Sequence, residues 1–248
     1  MILKVNKTTP TCMVLGDLGR IKIEHNIDIR MLNYWFRNAC NNSLKLSNVF
    51  YRLLLNLSIS GVYDASWIKS IKDRLMKFNL YEYWERQNSL SINEYNVFKK
   101  KCKQNIQEFY KNEWINNVNE SSKCYLYKGF KTELKIEKYI TKFPDNLRII
   151  MSKFRMCNHK LPVELGRHNN IDRKFRFCTK CNTRDIGDEF HYMFLCTFFS
   201  QEREKLLPKN SYRKPSVKNF CDVMFTDSNK TLLKVARFCR IIMSNFKL

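Results

Sequence analysis

The chain has 248 residues with 45 Lys and Arg against 23 Asp and Glu, a formal charge of +22. An aromatic content of 14% with only 6 Gly and 5 Pro excludes a disordered, low-complexity chain and favours a helix-rich fold of one large or two small domains. The longest stretch without Asp, Glu, Lys or Arg runs from Phe190 to Gln201, well short of the roughly 20 residues a membrane-spanning helix needs.

The opening MILKVNKTTPTC has no continuous apolar run of the kind a secretory signal carries, so the expected location is intracellular, in the nucleus and/or cytoplasm. The 10 cysteines are then expected as thiols or metal ligands rather than disulfides. The charge surplus attracts polyanions. Because it is spread along the chain rather than set beside an apolar insertion face, nucleic acid, RNA and/or DNA, is the leading partner and a membrane is not expected.

Ile27, Met31, Tyr34 or Trp35, and Asn38 or Ala39 fall on one face of a helix expected over residues 26–41. Leu46, Val49, Phe50, Leu53, Leu54 and Leu57 give a second amphipathic pattern that stops near Gly61. Ile68, Ile71, Leu75 and Phe78 mark a third. Short connections between them favour antiparallel neighbours in a bundle. Ser91 and Glu94 form a capping box ahead of the longest pattern, Tyr95, Phe98, Cys102, Ile106 and Phe109, which continues to Val118. It carries Lys99, Lys100, Lys101 and Lys103, a solvated face or a phosphate-contacting patch. Residues 119–131 are the least helical and read as a linker or short strand around Tyr125, Leu126 and Tyr127.

Pro144 suits a first helical turn, and Leu147, Ile150, Met151 and Phe154 continue a helix expected to reach His159. From Asp145 to Lys180 nine cations, Arg148, Lys153, Arg155, Lys160, Arg167, Arg173, Lys174, Arg176 and Lys180, stand against Asp145, Glu164 and Asp172. This stretch is more basic than the chain average and is the candidate phosphate-binding set. Phe154, Phe175 and Phe177 are interleaved with it, either to stack on bases or to pack under the following loop.

That loop holds the strongest chemical signal. Cys178 and Cys181 are two residues apart, His191 follows after nine more, and Cys196 after a further four. Two cysteines so spaced reach one metal from a single turn, and thiolates with imidazole suit one tetrahedral Zn2+. Four protein ligands leave no position for a catalytic water, so the site reads as structural, holding a short β-hairpin knuckle. Cys157, His159 and His168 are nearby substitutes. Cys12, Cys40, Cys102, Cys124, Cys221 and Cys239 lack partner spacing and read as small buried apolar residues.

Pro208 and Pro215 bracket a basic loop with Lys209, Arg213 and Lys214, followed by two helices. The last, over residues 230–245, carries Leu232, Leu233, Val235, Ala236, Phe238, Cys239, Ile241 and Ile242, too apolar for solvent, so it packs back on the body or meets a partner. The expected fold is mainly α: a helical bundle with a small Cys3His zinc knuckle and C-terminal helices. Its regions are 1–120, a linker or short helix at 121–144, a basic helix with the knuckle at 145–207, and 208–248.

The segment FRMCNHKLPVELGRHNNIDRKFRFCTKCNTRDIGDEFHYMFLC resembles the zinc-binding region that follows the polymerase domain in non-LTR (LINE-type) retrotransposon reverse transcriptases. NKTTPTCMVLGDLGRIKIEHNIDIRMLNYWFR is similar to the post-polymerase connection of the same group, through a T-P-x-x-x-V-x-G-x-L-G-R run. The resemblance implies that nearly the whole chain corresponds to the C-terminal part of such a protein, with its first region thumb-like or connecting. It also implies that Cys178, Cys181, His191 and Cys196 are the zinc ligands, although the nine-residue spacer exceeds the seven or eight usual in some branches. Polymerization in that family needs a paired-aspartate motif, and no Asp-Asp occurs here. The expectation is a non-enzymatic portion that handles template RNA and target DNA, as a truncated copy or fragment. The alternative is a zinc-stabilised helical protein-interaction module, with the apolar C-terminal helix as its platform.

Overall fold

The computed structural model describes residues 3–40 and 45–246, and it is mainly helical. The expected helix end at Asn41 lies outside the described residues. Contacts divide the chain into two units: residues 21–114, and residues 1–20 together with 115–248. The first helix, α1 (Thr11–Leu18), thus belongs with the C-terminal half rather than with the helices that follow it. This division differs from the boundaries read from composition, which kept residues 1–120 together.

The 21–114 unit contains α2 (Ile23–Cys40), α3 (Leu46–Ile59), α4 (Ser66–Lys77), α5 (Tyr81–Glu85) and most of α6 (Tyr95–Glu120). Ile68, Ile71, Leu75 and Phe78 are all buried in its core, as their spacing requires, beside Leu32, Trp35, Phe36, Phe98 and Ile106. The Phe36 and Phe98 rings stack with centroids 4.3 Å apart, and Cys102 is fully buried in the same cluster. The capping box forms: Ser91 Oγ accepts from Asn93 N at 3.2 Å, and Glu94 Oε2 accepts from Ser91 N at 3.0 Å. Two polar clusters tie the helices. Asp28 on α2 accepts from Arg74 Nε at 2.8 Å and from the Tyr110 hydroxyl at 2.7 Å. Trp35 Nε1 donates to the Tyr51 hydroxyl at 3.0 Å, and that hydroxyl donates to Gln87.

Helix α3 overturns its expected orientation. Asn48, Tyr51 and Leu55 face the core, while Leu46, Val49, Phe50 and Leu53 are exposed. The inward face is stabilised by the hydrogen bonds of Tyr51, so a polar side chain takes a core position that the hydrophobic pattern assigns to its neighbours.

The other unit comprises α1, α7 (Tyr127–Phe130), α8 (Lys138–Lys142), α9 (Asp145–Arg155), α10 (Pro162–His168), α11 (Ser200–Leu206), α12 (Lys209–Tyr212), α13 (Val217–Met224) and α14 (Asn229–Ser244). Residues 119–131 contain no strand: Ser122–Cys124 is a short 3-10 turn and Tyr127 is buried on α7. Helix α9 stops at Arg155, not at His159, because Cys157 adopts a left-handed φ of 51°. Asn158 N then bonds back to Lys153 O at 2.7 Å, a Schellman-type stop with cysteine where glycine is usual. Helix α14 packs along α9 and buries Leu232, Val235, Ala236, Phe238, Cys239 and Ile242. Its apolar face is therefore part of the core and offers no platform to a partner.

Asp17 of α1 lies at the centre of this unit. Its carboxylate accepts from the Tyr127 hydroxyl at 2.8 Å, the Tyr139 hydroxyl at 2.7 Å, and Arg155 Nε and Nη2 at 2.9 and 3.2 Å. Gly19 closes α1 at φ +60°, where a Cβ would meet Ile136 N at 2.3 Å. Glycine is thus required both by the backbone angle and by the chain running against it.

Candidate metal centre and its basic surroundings

A 3-10 turn at Arg173–Phe175, capped by Asp172, leads into the loop. Phe177 and Ile186 then form one antiparallel bridge, with Cys178 N bonded to Asp185 O and Gly187 N to Arg176 O, each at 2.8 Å. The expected β-hairpin is reduced to this bridge, and no longer strand pair occurs among the described residues. Cys178 and Cys181 lie in the turn above it, where Lys180 N points at Cys178 Sγ from 3.3 Å.

The second half of the site is set by Asp188, whose Oδ1 accepts from His191 N at 3.0 Å. A π-helical turn follows over His191–Leu195, closed by Cys196 N to His191 O at 2.8 Å. The wide turn brings Cys196 back beside His191 despite the four-residue spacer. Sγ of Cys178 and Cys196 are 3.8 Å apart, and Cys181 Sγ is 3.4 Å from His191 Nε2. All four donors, Cys178, Cys181, His191 and Cys196, lie within 4.8 Å of one another and could hold a metal ion.

The electrostatics suit ligation. Burial lowers the His191 pKa against the opposing pull of Asp185, keeping the imidazole neutral with a lone pair to donate. Burial raises the Cys181 thiol, but hydrogen bonds from Thr183, Cys178 and Cys196 more than offset this and leave it below the ordinary value. Burial pushes Cys196 up to about 12, so without a cation that thiol stays protonated. His191 Nδ1 is buried without a hydrogen bond and faces Asp185 Oδ2 at 3.5 Å.

A second group also forms. Cys157, His159 and Glu189 place their donor atoms within 4.8 Å of one another, and His159 Nε2 is 2.8 Å from Glu189 Oε1. Cys157 and His159 are therefore partners of Glu189, not substitutes at the first site. Asp185, Asp188 and Glu189 show in the sequence only as an acidic run just before His191, with no spacing that marks them as site residues.

The nine cations separate clearly. Arg155 is fully buried against Asp17 and Glu137, so it is removed from the phosphate-contacting set. Burial opposes its charge, yet these two carboxylates hold its pKa above the ordinary value. Arg148 pairs with Asp145 at 2.7 Å. Arg167 bonds Glu164 and Ser122, Arg173 bonds Asp188 and lies over the Tyr125 ring, and Arg176 bonds the carbonyls of Ile171 and Val163. Lys160 and Lys174 are exposed, and Lys153 and Lys180 half-buried. Phe154 is core, whereas Phe175 and Phe177 are exposed, so these two do not pack under the loop.

No helix among the described residues is long and apolar enough to cross a membrane. No protein-family model, curated protein or solved structure matches the chain.

Proposed function

We propose that this chain is a non-catalytic nucleic-acid-binding portion, similar to the C-terminal region of a non-LTR retrotransposon reverse transcriptase and built around one structural Zn2+. The observation that carries the reading is the convergence of three thiols and an imidazole at the end of a strongly basic stretch of the chain. Zinc bonds of about 2.3 Å to sulfur and about 2.0 Å to nitrogen imply tetrahedral edges of roughly 3.8 Å between sulfurs and roughly 3.5 Å from sulfur to nitrogen. The spacings of 3.8 and 3.4 Å fit those edges. Asp185 Oδ2, 3.5 Å from Nδ1, lies on the side of the ring where a ligating histidine commonly takes an outer carboxylate. Zinc would hold the single-bridge knuckle closed, since so short a loop buries little apolar surface of its own.

Affinity would come from Lys153, Lys160, Lys174 and Lys180, with contributions from Arg148, Arg167, Arg173 and Arg176, through release of counterions from phosphates. The test has two parts. Elemental analysis of the purified chain should give one zinc, lost in a Cys178→Ser, Cys181→Ser double variant. Titration with labelled RNA and DNA should show affinity falling steeply with salt, by about 0.7 in log K per log salt for each phosphate contacted on a single strand. A folded chain without metal, or an affinity indifferent to salt, overturns the proposal. A protein-interaction role keeps one supporting observation, the exposed Leu46, Val49, Phe50 and Leu53 of α3.

A further inference from the structure

Beside the metal loop lies a groove of about 460 Å3 with two kinds of wall. Phe175, Phe177 and Phe246 supply aromatic surface, and Lys160, Arg176 and Lys180 supply charge; no Asp or Glu is among the described residues that line it. The volume falls in the range of roughly 300–1,000 Å3 typical of small-ligand sites. Phe175 is 57% exposed and Phe177 41% exposed. Exposure of large rings is unfavourable in water, so two open rings beside one cavity call for an occupant.

The rings are also held in place. Phe177 belongs to the bridge with Ile186 and directly precedes Cys178. Phe246 meets Tyr192 edge-on at 4.9 Å, and Lys180 Nζ lies 5.3 Å from its centroid and 5.6 Å from that of Phe198. The ammonium is therefore positioned at the groove by ring faces rather than by a carboxylate. Lys174, one residue before Phe175, is exposed 5.0 Å from that ring and pairs loosely with the exposed Asp172 at 3.6 Å. A groove wall of flat apolar surface with cations and no anion is complementary to a flat ring joined to a phosphate.

We propose that this groove takes an unpaired nucleobase of a single strand, stacked on Phe175 or Phe177, with the adjoining phosphates against Lys180 and Lys174. The inference rests on the nucleic-acid reading above and adds to it a preference for unpaired over duplex strands. A base inside a duplex is already stacked on both faces and cannot offer one to a phenylalanine; a single strand can. Because Phe177, Thr179 and Lys180 are at once groove wall and metal loop, the groove depends on the loop being closed.

The test uses the full chain with single-stranded and duplex oligonucleotides of equal length, as RNA and as DNA, each single strand carrying one 2-aminopurine. Single strands should bind more tightly than duplexes, and bound 2-aminopurine should lose fluorescence by stacking. Phe175→Leu and Phe177→Leu keep apolar bulk but remove the ring. Each should weaken single-strand binding by roughly tenfold, leave duplex binding and the salt slope unchanged, and restore fluorescence. Lys180→Ala should instead lower the salt slope by about 0.7 and keep the single-strand preference. The RNA and DNA arms show which sugar the groove accepts. Folded Phe variants that bind and quench like the parent overturn the groove while leaving the nucleic-acid reading intact. Failure of the parent to bind any strand overturns both. If a Glu-rich aromatic peptide binds, and the Phe variants abolish that binding but not oligonucleotide binding, the groove belongs to a protein partner and this inference is wrong.

Discussion

Replacing Asp17 by Asn should be among the most damaging single changes in the chain. Asp17 and Arg155 have fully buried side chains. The carboxylate receives hydrogen bonds from two tyrosine hydroxyls and two guanidinium nitrogens, at 2.7 to 3.2 Å. The isosteric amide keeps the volume, so no cavity forms, but it turns an NH2 toward donors and leaves Arg155 with Glu137 Oε2 at 3.2 Å as its remaining carboxylate. Removing one member of a buried pair costs about 3–5 kcal/mol, because the other charge stays desolvated. With Glu137 still in place, about 3 kcal/mol is expected, a large share of the roughly 5–15 kcal/mol that holds a typical domain. Urea unfolding followed by circular dichroism measures it. A double variant, Asp17→Leu with Arg155→Met, removes both charges and should lose less than Asp17→Asn alone. If Asp17→Asn falls within about 1 kcal/mol of the parent at an unchanged m-value, the buried-pair argument fails.

Three further outcomes follow from other parts of the fold. Gly19→Ala forces a left-handed alanine against the Lys135–Ile136 backbone and should cost more than about 2 kcal/mol by the same urea assay; a loss under about 1 kcal/mol would contradict the close approach. Adding a strong zinc chelator to the metal-loaded chain should lower its melting temperature and expose Cys178 and Cys181 to a thiol reagent, whereas unchanged melting and unchanged thiol labelling would reject a structural metal. Tyr51 is pushed up to about 12 by burial, against a hydrogen bond from Trp35 that lowers it. The folded state therefore retains this proton longer than the unfolded one, so the contribution is whole below pH of about 10 and is lost as pH rises toward about 12, by roughly 2–3 kcal/mol. Tyr51→Phe should flatten that alkaline decline, and an identical decline in both proteins would show that Tyr51 is not its source.

Where periodicity and burial agree, the fold is legible in the sequence. Ile68, Ile71, Leu75 and Phe78 face one core because nothing polar competes for those positions, and the Ser91–Glu94 box marks a helix start through contacts only three residues apart. The four metal-ligand positions are legible for the same reason: short spacers fix which donors can meet. Helix α3 is not legible, because Tyr51 turns inward on the strength of hydrogen bonds with Trp35 and Gln87 from other elements and takes the buried Asn48 with it. Arg155 is misread as surface charge because its partner is 138 residues earlier. Glu189 joins Cys157 and His159 across some thirty residues, a pairing that spacing alone does not disclose. Residues 121–144 read as a linker or short helix; the short helices α7 and α8 form there, and what the sequence hides is that Tyr127 and Tyr139 on them are buried around Asp17 as core.

The basic stretch from 145 to 180 sorts by residue type, and the sorting has a physical cause. Arg148, Arg155, Arg167, Arg173 and Arg176 each bond acceptors within the fold. Lys153, Lys160, Lys174 and Lys180 are exposed or half-buried, and Lys160 and Lys180 line the groove beside the metal loop. A guanidinium is a rigid planar fork that can satisfy several acceptors at once, whereas an ammonium is a compact, strongly hydrated charge on a flexible stem. The same formal charge therefore divides into arginines that brace the fold and lysines whose ammonium groups stay accessible to phosphate. Arg173→Ala should then lower the melting temperature more than Lys174→Ala does, since it frees Asp188 beside the His191 turn. Lys174→Ala should lower the salt slope of binding by about 0.7 with little change in melting. If the arginine change left stability intact and took away the salt slope, and the lysine change did the opposite, the division of labour would be the reverse of the one drawn from this geometry.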